Sequence, residues 1–162
     1  MLIIKVSDVK QLEIIVELAD TIWHEYFTPI IGKAQVDYML KKFQSKESIT
    51  QQIHDGVVYF LLMEDTVPIG YVGIIIKNSE LFLSKFYILS AERNKGFGKQ
   101  VIKFLEQLAL GYERHKISLT INKNNINTIK AYQKMGFINL GAIVQDIGNG
   151  FVMDDYKMEK NI

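Results

Sequence analysis

The stretch Arg93-Asn94-Lys95-Gly96-Phe97-Gly98-Lys99 decides how the rest of this sequence is interpreted, because it joins a predicted strand to a predicted helix. Its two glycines let the backbone approach a ligand closely and adopt positive φ angles. The first turn of the helix that follows offers unpaired N–H groups and a partial positive charge, which attract anions. With three basic side chains added, the stretch fits a pyrophosphate group, and a plain glycine turn with solvated lysines is the alternative. It lacks the pattern of a P-loop and the third glycine of a dinucleotide fingerprint.

A second stretch, Asn125–Phe137, begins 27 residues after Gly98 and reads NINTIKAYQKMGF. Its apolar spacing predicts a helix over Asn125–Met135, and Gly136 would end that helix. A tyrosine on such a helix, here Tyr132, is by itself most often a half-buried packing residue with a satisfied hydroxyl. Taken alone, this stretch therefore assigns no chemistry.

Periodicity along the rest of the chain predicts one mixed α/β domain that covers residues 1–162. The first helix follows the cap residues Ser7 and Asp8 and is interrupted at Pro29 and Gly32. Two more helices come next, the second of them over Lys46–His54. The predicted order is β-ααα-βββ-α-β-α-ββ, in which the three consecutive strands form an antiparallel meander because their connections are too short for parallel crossovers. The predicted strands are Leu2–Val6, Val57–Met63, Ile69–Ile76, Leu81–Leu89, Ile117–Ile121, Ile138–Gln145 and Phe151–Glu159.

Composition excludes several classes of function. A net charge of +1 leaves no general basic surface for nucleic acid, and no stretch approaches the about 20 apolar residues of a membrane helix. The chain has no cysteine, which rules out disulfides, thiolate metal ligands and a cysteine nucleophile. The three histidines are far apart in the sequence, so we expect no metal site. The charge balance and the short apolar runs predict no nucleic-acid partner and no membrane partner. Without a targeting signal, we expect a soluble, cytoplasmic protein.

Together the two stretches resemble the signatures of the GNAT superfamily of N-acetyltransferases. The first signature is Arg/Gln-x-x-Gly-x-Gly/Ala after a strand, matched here by Arg93, Gly96 and Gly98. The second is Asn-x-x-(small)-x-x-x-Tyr-x-x-x-Gly-Phe, in which Thr128 replaces the more common Ala or Ser. The resemblance covers nearly the whole chain and implies a GNAT-like acyl-CoA N-acyltransferase fold, with a central, mostly antiparallel sheet and helices on both faces. The residues that match the second signature are Asn125, Thr128, Tyr132, Gly136 and Phe137.

The resemblance implies that acetyl-CoA is the co-substrate and lies between two adjacent parallel strands, here Leu81–Leu89 and Ile117–Ile121. The end of the first strand would contact the pantetheine arm through Phe86, Tyr87 and Ile88. The Ile88 N–H would face the thioester carbonyl, where negative charge develops during the reaction. The residues implied to hold the pyrophosphate are Arg93, Asn94, Lys95, Gly96, Phe97, Gly98 and Lys99.

The resemblance also implies catalytic groups. Tyr132 would be the general acid that protonates or stabilises the departing CoA thiolate, and it would border the cofactor with Asn125, which bonds the pantetheine arm. Glu80, at the start of the strand that carries the acetyl group, is a candidate general base that acts directly or through water. A solvated glutamate beside a turn is the alternative for Glu80, and a chain of water molecules can replace a single base.

The acceptor site is expected near the end of the first helix and the terminal hairpin. Trp23, Glu25, Tyr26 and Phe27 are the candidate substrate-binding residues, since aromatic rings can enclose an alkyl or cationic amine. Helical spacing makes core packing the better explanation for Trp23. The pair Asp154–Asp155 either attracts a polyamine or solvates the edge of a strand.

The leading interpretation is an acetyl-CoA-dependent N-acetyltransferase whose acceptor is a primary amine of a small molecule or a peptide. The segment Tyr38–Phe43, the short helix that follows it and the segment Ala131–Phe137 look similar to bacterial spermidine/spermine N-acetyltransferases, so a polyamine is one candidate acceptor. A non-catalytic acyl-CoA-binding sensor or interaction module is the alternative function. The apolar C-terminal hairpin is a candidate homodimer interface, and acyl donors other than acetyl-CoA stay open.

Overall fold

The computed structural model describes the whole chain, Met1–Ile162, and contains every predicted helix and strand. Observed and predicted boundaries of the strands differ by three residues at most, and α3 begins and ends at the predicted residues. None of the helices is both long and apolar enough to cross a membrane. In chain order the elements are β1 (Leu2–Lys5), α1 (Val9–Ile31), α2 (Lys33–Phe43), α3 (Lys46–His54), β2 (Val58–Glu64), β3 (Val67–Ile76), β4 (Leu81–Ile88), a 3-10 turn (Ser90–Glu92), α4 (Phe97–Gly111), β5 (Lys116–Asn122), α5 (Ile126–Lys134), β6 (Ile138–Gly148) and β7 (Phe151–Asn161).

The seven strands form one sheet in the order β1-β2-β3-β4-β5-β7-β6. Four neighbouring pairs are antiparallel: β1 with β2, β2 with β3, β5 with β7, and β6 with β7. Strands β4 and β5 pair in parallel, through Leu81–Leu83 and Ile117–Leu119. The predicted mixed α/β fold with a mostly antiparallel sheet is confirmed, and the parallel pair consists of the two strands between which the resemblance places acetyl-CoA.

The chain forms two compact units. The first consists of Met1–Ile75 and Lys85–Phe97, and the second of Ile76–Ser84 and Gly98–Ile162. Strand β4 therefore contributes residues to both units. The assignment of residues 1–162 to a single domain stays a prediction.

Helix α1 continues through Pro29, so the predicted interruption at that residue is wrong. A proline removes one helical hydrogen bond, and this loss is tolerated here because Pro29 lies in the last turn. The helix ends two residues later, where Gly32 has a φ of 86° and donates its N–H to the Thr28 carbonyl at 3.0 Å. Gly32 is therefore the actual break between α1 and α2.

In the first unit, α1 buries one face completely through Ile15, Ala19 and Ile22. Their spacing of three and four residues places them on one side of the helix. Trp23, on the same helix, donates its indole N–H to the Tyr71 hydroxyl of β3 at 3.0 Å. This buried hydrogen bond fixes the C-terminal half of α1 against β3.

In the second unit, α4 buries a comparable face. Val101, Leu105 and Ala109 follow one another at four-residue spacing and are fully buried. Ile117 of β5 and Met158 of β7 are also fully buried. A fully buried aliphatic side chain contributes roughly 1.5–3 kcal/mol. The apolar periodicity that predicted α4 is thus the pattern that builds this core.

Candidate functional site

The predicted anion-binding stretch folds as a tight turn that leads into α4. Asn94 and Gly96 have φ angles of 63° and 86°, in the left-handed region that glycine adopts freely and asparagine tolerates. Helix α4 begins at Phe97, so the N–H groups of its first turn lack partners within the helix. A Cβ added to Gly98 would meet no atom within 4 Å, so the backbone is open there. The turn fits binding of a phosphate by backbone N–H groups.

The two lysines of this stretch, Lys95 and Lys99, differ in how much positive charge they can offer to an anion. The Lys95 ammonium pairs with the Glu92 carboxylate at 2.8 Å, which neutralises part of its charge. Lys99 is exposed and lies in the first turn of α4. Lys99 is therefore the lysine better placed to add positive charge to the turn.

Arg93 does not extend toward the open turn. Its Nε donates to the carbonyl oxygen of Ile88 at 3.0 Å, and its guanidinium carbon lies 4.7 Å from the centre of the Tyr26 ring. Next to this contact, the Ser90 hydroxyl donates to the Glu25 carboxylate at 2.7 Å. Two consecutive residues of α1 are therefore tied to the segment that follows β4.

The end of β4 packs closely against β3. The N–H of Leu89 donates to the Ile69 carbonyl at 2.9 Å. Because successive residues of a strand direct their N–H groups to opposite sides, the Ile88 N–H points away from β3. A Cβ added to Gly70 of β3 would lie 2.3 Å from the carbonyl oxygen of Tyr87, so glycine is required for this close approach.

An aromatic cluster stands beside the strand end. The ring of Tyr87 lies 5.4 Å from those of Trp23 and Tyr71 and 6.0 Å from that of Phe27, measured between centroids. Trp23 is 4% exposed and its indole N–H is already paired, so it is a core residue with no polar atom left for a substrate. Phe27 is half-buried, as is Phe86 on β4. Core packing, the alternative favoured for Trp23, thus describes its environment.

In the second unit, α5 carries the other signature stretch. Asn125 is buried and stands just before the helix, with its backbone N–H on the Asn122 carbonyl at 3.0 Å. Tyr132 is 6% exposed, and its ring meets that of Phe137 edge-on at 5.2 Å. Burial raises the pKa of Tyr132 well above its ordinary value, so the hydroxyl stays protonated and can donate a hydrogen bond.

Glu80 immediately precedes β4 and is 8% exposed, so the predicted alternative of a solvated glutamate is wrong. Its carboxylate lies 3.4 Å from the Lys116 ammonium and 3.7 Å from that of Lys77. Burial acts to raise the pKa of Glu80, but the Ser118 hydroxyl and the two lysines outweigh it, and the pKa is lowered. A carboxylate held charged in this way is a weak proton acceptor.

The two adjacent aspartates of β7 have different environments. Asp154 is exposed and pairs with Lys123, as expected at the edge of a strand. Asp155 is 4% exposed and lies opposite Asn122 of β5, which does not fit solvation of an edge. Burial, and next the charge of Asp154, raise the pKa of Asp155 to about 6, while Thr120 and Lys123 act in the opposite direction.

Sequence reasoning missed a polar cluster that joins α3, β2 and β4. The Gln52 side-chain oxygen accepts from the Tyr59 hydroxyl at 2.7 Å and from the Lys85 ammonium at 3.1 Å. The Lys85 ammonium also lies 5.6 Å from the centre of the Tyr59 ring. Burial lowers the pKa of Lys85 to about 8. A lysine between a serine and a phenylalanine in a strand gives no sign of burial, so no signal in the sequence could have identified this cluster.

Comparison with known proteins places the chain in a family. The model of the acetyltransferase (GNAT) family matches residues 16–137. That range contains both signature stretches, Arg93–Lys99 and Asn125–Phe137. The chain therefore belongs to the GNAT family of acetyltransferases.

Individual relatives match in part or in fold. A spermine/spermidine N(1)-acetyltransferase of Bacillus subtilis (strain 168) is 42% identical over 62 residues, which make up 38% of this chain and 41% of that protein. The PaiA N-acetyltransferase of Thermoplasma acidophilum, solved in complex with coenzyme A, aligns over 100% of both chains with a TM-score of 0.81 and 20% identity. A chimera of the Vibrio cholerae spermidine N-acetyltransferase SpeG and hSSAT aligns over 99% of this chain and 94% of its own, with a TM-score of 0.70 and 20% identity. At such identities the structural likeness establishes a common fold.

Proposed function

We propose that this chain is an acetyl-CoA-dependent N-acetyltransferase in which a primary amine attacks the acetyl group directly. The observation that carries the proposal is that both GNAT signature stretches lie within the family match, and that the first folds as an open turn before a helix. A protein that needed only the fold would not need both stretches. Because the chain has no cysteine, transfer through an acetyl-cysteine intermediate is excluded.

Acetyl-CoA is the proposed co-substrate. The unpaired N–H groups after Gly96 and the exposed charge of Lys99 support binding of its pyrophosphate. The Ile88 N–H, directed away from β3, supports a role as donor to the thioester carbonyl. Removal of such a donor typically costs about 3 kcal/mol of transition-state stabilisation. Asn125 is the proposed partner of the pantetheine arm.

In the proposed reaction, the amine nitrogen forms a C–N bond while the thioester C–S bond breaks and leaves a thiolate. The raised pKa of Tyr132 lies above the value of about 8.5 for an ordinary thiol, so complete proton transfer from Tyr132 to sulfur is unfavourable. We therefore assign Tyr132 a hydrogen bond to the developing thiolate. One of the two protons that the attacking ammonium loses restores the CoA thiol, and the other passes to solvent.

The group that first deprotonates the ammonium stays a prediction. The sequence predicts Glu80 as a candidate base, but its lowered pKa and its lysine partners count against this role. Glu80 also stands at the opposite end of β4 from Ile88. A chain of water molecules, the other predicted route, requires no buried base.

The proposed acceptor is a small primary amine, and polyamines are the first candidates. The partial match to a spermine/spermidine N(1)-acetyltransferase supports this choice. The half-buried rings of Tyr26 and Phe27, both in the first unit, offer apolar surface for an alkyl chain. Peptides are the alternative acceptors.

The test is release of CoA thiol from acetyl-CoA with spermidine, spermine, aminoglycosides, amino acids and short peptides. Since the protein has no thiol of its own, a thiol reagent detects CoA alone. We expect turnover with at least one polyamine. Turnover with peptides alone would reject the polyamine assignment, and no turnover with any amine would reject the enzymatic proposal.

A homodimer through the C-terminal hairpin is also proposed. Strand β6 is the last strand of the sheet and exposes Ile138, Leu140 and Val144. An exposed apolar edge strand of this kind favours association with another chain. Light scattering should give a dimer that Val144→Lys dissociates, and a monomer at micromolar concentration would contradict it.

A further inference from the structure

The guanidinium of Arg93 is held between the end of β4 and the end of α1, both in the first compact unit. Its Nε donates to the Ile88 carbonyl at 3.0 Å, and its central carbon lies 4.7 Å from the centre of the Tyr26 ring. Arginine suits this position because its planar group can donate from one edge while its face stacks on an aromatic ring. A lysine has a single donor group and no such plane.

A second contact joins the same two segments. The Ser90 hydroxyl donates to the Glu25 carboxylate at 2.7 Å, one residue before Tyr26 in α1. The segment after β4 is thus attached to two successive residues of α1. Ile88 is the proposed donor to the thioester, and Glu25 and Tyr26 are candidate acceptor-binding residues, so these contacts join the donor side to the acceptor side.

The same contacts limit what Arg93 can do for a phosphate. Its Nε already donates to the Ile88 carbonyl, and its guanidinium carbon lies over the Tyr26 ring. The open turn has its own means of holding an anion, namely the N–H groups at the start of α4 and the exposed Lys99.

We propose that Arg93 is a positioning residue that holds Ile88 and Tyr26 in place for acetyl transfer, and that its side chain does not bind the pyrophosphate. The inference rests on the proposed function, because it concerns the same donor and acceptor. It reassigns the Arg93 side chain from cofactor binding to alignment of the two substrates. The backbone of the turn keeps its proposed role in binding the pyrophosphate.

The test uses two acyl donors, acetyl-CoA and S-acetylpantetheine, which has the thioester but no pyrophosphate. For Arg93→Gln we expect a raised KM for the amine and a lowered kcat, with kcat/KM reduced about tenfold or more by misalignment. The reduction should be the same with both donors. A loss with acetyl-CoA that is absent with S-acetylpantetheine would overturn the proposal, because it would place the side chain on the pyrophosphate.

Arg114→Gln is the matched control. The Arg114 Nε donates to the Lys77 carbonyl at 2.6 Å, so the variant removes an equivalent contact in the second unit. We expect its KM for the amine to stay within about twofold of that of the unmodified protein, a change below 0.5 kcal/mol. An Arg114→Gln variant that reproduces the raised KM of Arg93→Gln would overturn the proposal. Loss of folded protein would lower kcat without raising KM, so the two effects are separable.

A double variant tests whether Arg93 acts through Tyr26. If the two side chains form one unit, Arg93→Gln combined with Tyr26→Leu should be little worse than the more damaging single variant. If the losses in kcat/KM of the two single variants multiply in the double variant, the coupling between Arg93 and Tyr26 is overturned.

If the unmodified protein acetylates no amine, the proposed function fails, and the role of Arg93 is then tested by binding. Equal weakening of CoA and pantetheine binding by Arg93→Gln supports the positioning role. Weakening of CoA binding alone overturns it.

Discussion

The α-carbon of Gly70 on β3 lies so close to β4 that a Cβ there would stand 2.3 Å from the carbonyl oxygen of Tyr87 and 3.0 Å from the α-carbon of Ile88. Both neighbours are backbone atoms and cannot rotate away. Glycine at this position therefore determines where the end of β4 lies, and with it the Ile88 N–H that we assign to the thioester.

Gly70→Ala should consequently damage both stability and activity. Overpacking of this kind costs about 1–3 kcal/mol, and displacement of the Ile88 N–H should lower kcat more than it raises the KM for acetyl-CoA. Gly73→Ala is the matched control on the same strand, because the nearest neighbours of its Cβ would be side-chain atoms of Tyr59 and Lys85 at 3.3–3.5 Å, with no backbone atom among them. Denaturant unfolding and steady-state kinetics of the two variants measure the difference. Equal effects at the two positions would contradict the role assigned to Gly70.

Tyr132→Phe removes the proposed hydrogen bond to the leaving sulfur while it keeps the ring that packs on Phe137. We expect kcat to fall about 10²-fold, in the range for the loss of one hydrogen-bond donor to a developing charge, with little change in acetyl-CoA affinity. Stopped-flow kinetics measure kcat, and calorimetry measures the affinity for acetyl-CoA. An unchanged kcat would remove Tyr132 from the chemistry.

Lys85 should make the protein more stable as the pH rises from neutral. Burial lowers its pKa to about 8 in the folded chain, below the ordinary value of 10.5, so between these values the unfolded chain binds more protons. The free energy of unfolding must then increase with pH in that window. Lys85→Met should raise the free energy of unfolding near neutral pH by about 1–3 kcal/mol and abolish this increase.

Lys116→Met is the matched control, with the opposite sign. The hydrogen bond to Glu159 raises the pKa of Lys116, so its removal should destabilise the protein. Urea unfolding between about pH 7 and pH 9.5, below the pH at which the tyrosines of the unfolded chain lose their protons, compares the variants. A Lys85→Met protein less stable than the unmodified one at neutral pH would contradict the account.

The contribution of Asp155 to stability should decrease as the pH rises, the reverse of that of Lys85. Burial raises its pKa to about 6, above the ordinary 3.8, so its contribution to stability is present at low pH and is lost as the pH rises through 6. Asp155→Asn should raise Tm at about pH 7.5 by a few degrees and remove this loss. Asp154→Asn, which breaks the Lys123 ion pair, is the control and should not raise Tm. Calorimetric scans that give the same Tm for Asp155→Asn and Asp154→Asn would contradict a buried charge at Asp155.

Local signals account for the parts of the fold that the sequence predicted well. The limits of α3 were predictable because Ser45 caps the helix through the Ser48 N–H and Gly56 follows its end. The Pro29 prediction failed because a proline in the last helical turn removes one bond without ending the helix. Strand and helix signals depend on neighbours within a few residues, and those neighbours are visible in the sequence.

The side-chain arrangement of the site depends on distant partners, which the sequence does not show. Arg93 meets Tyr26 from 67 positions away, and Trp23 meets Tyr71 across 48. Asp155 follows another aspartate, a pattern typical of an exposed segment, yet it is buried by the pairing of β5 with β7. The motifs could therefore be located from the sequence, but the environment of each side chain could not.

The central claim, acetyl transfer to an amine, is tested most directly by mass spectrometry of spermidine incubated with the protein and acetyl-CoA. The account predicts acetylated spermidine in an amount equal to the CoA released, and much less of both with Tyr132→Phe. CoA release without an acetylated amine would indicate thioester hydrolysis and would contradict the account.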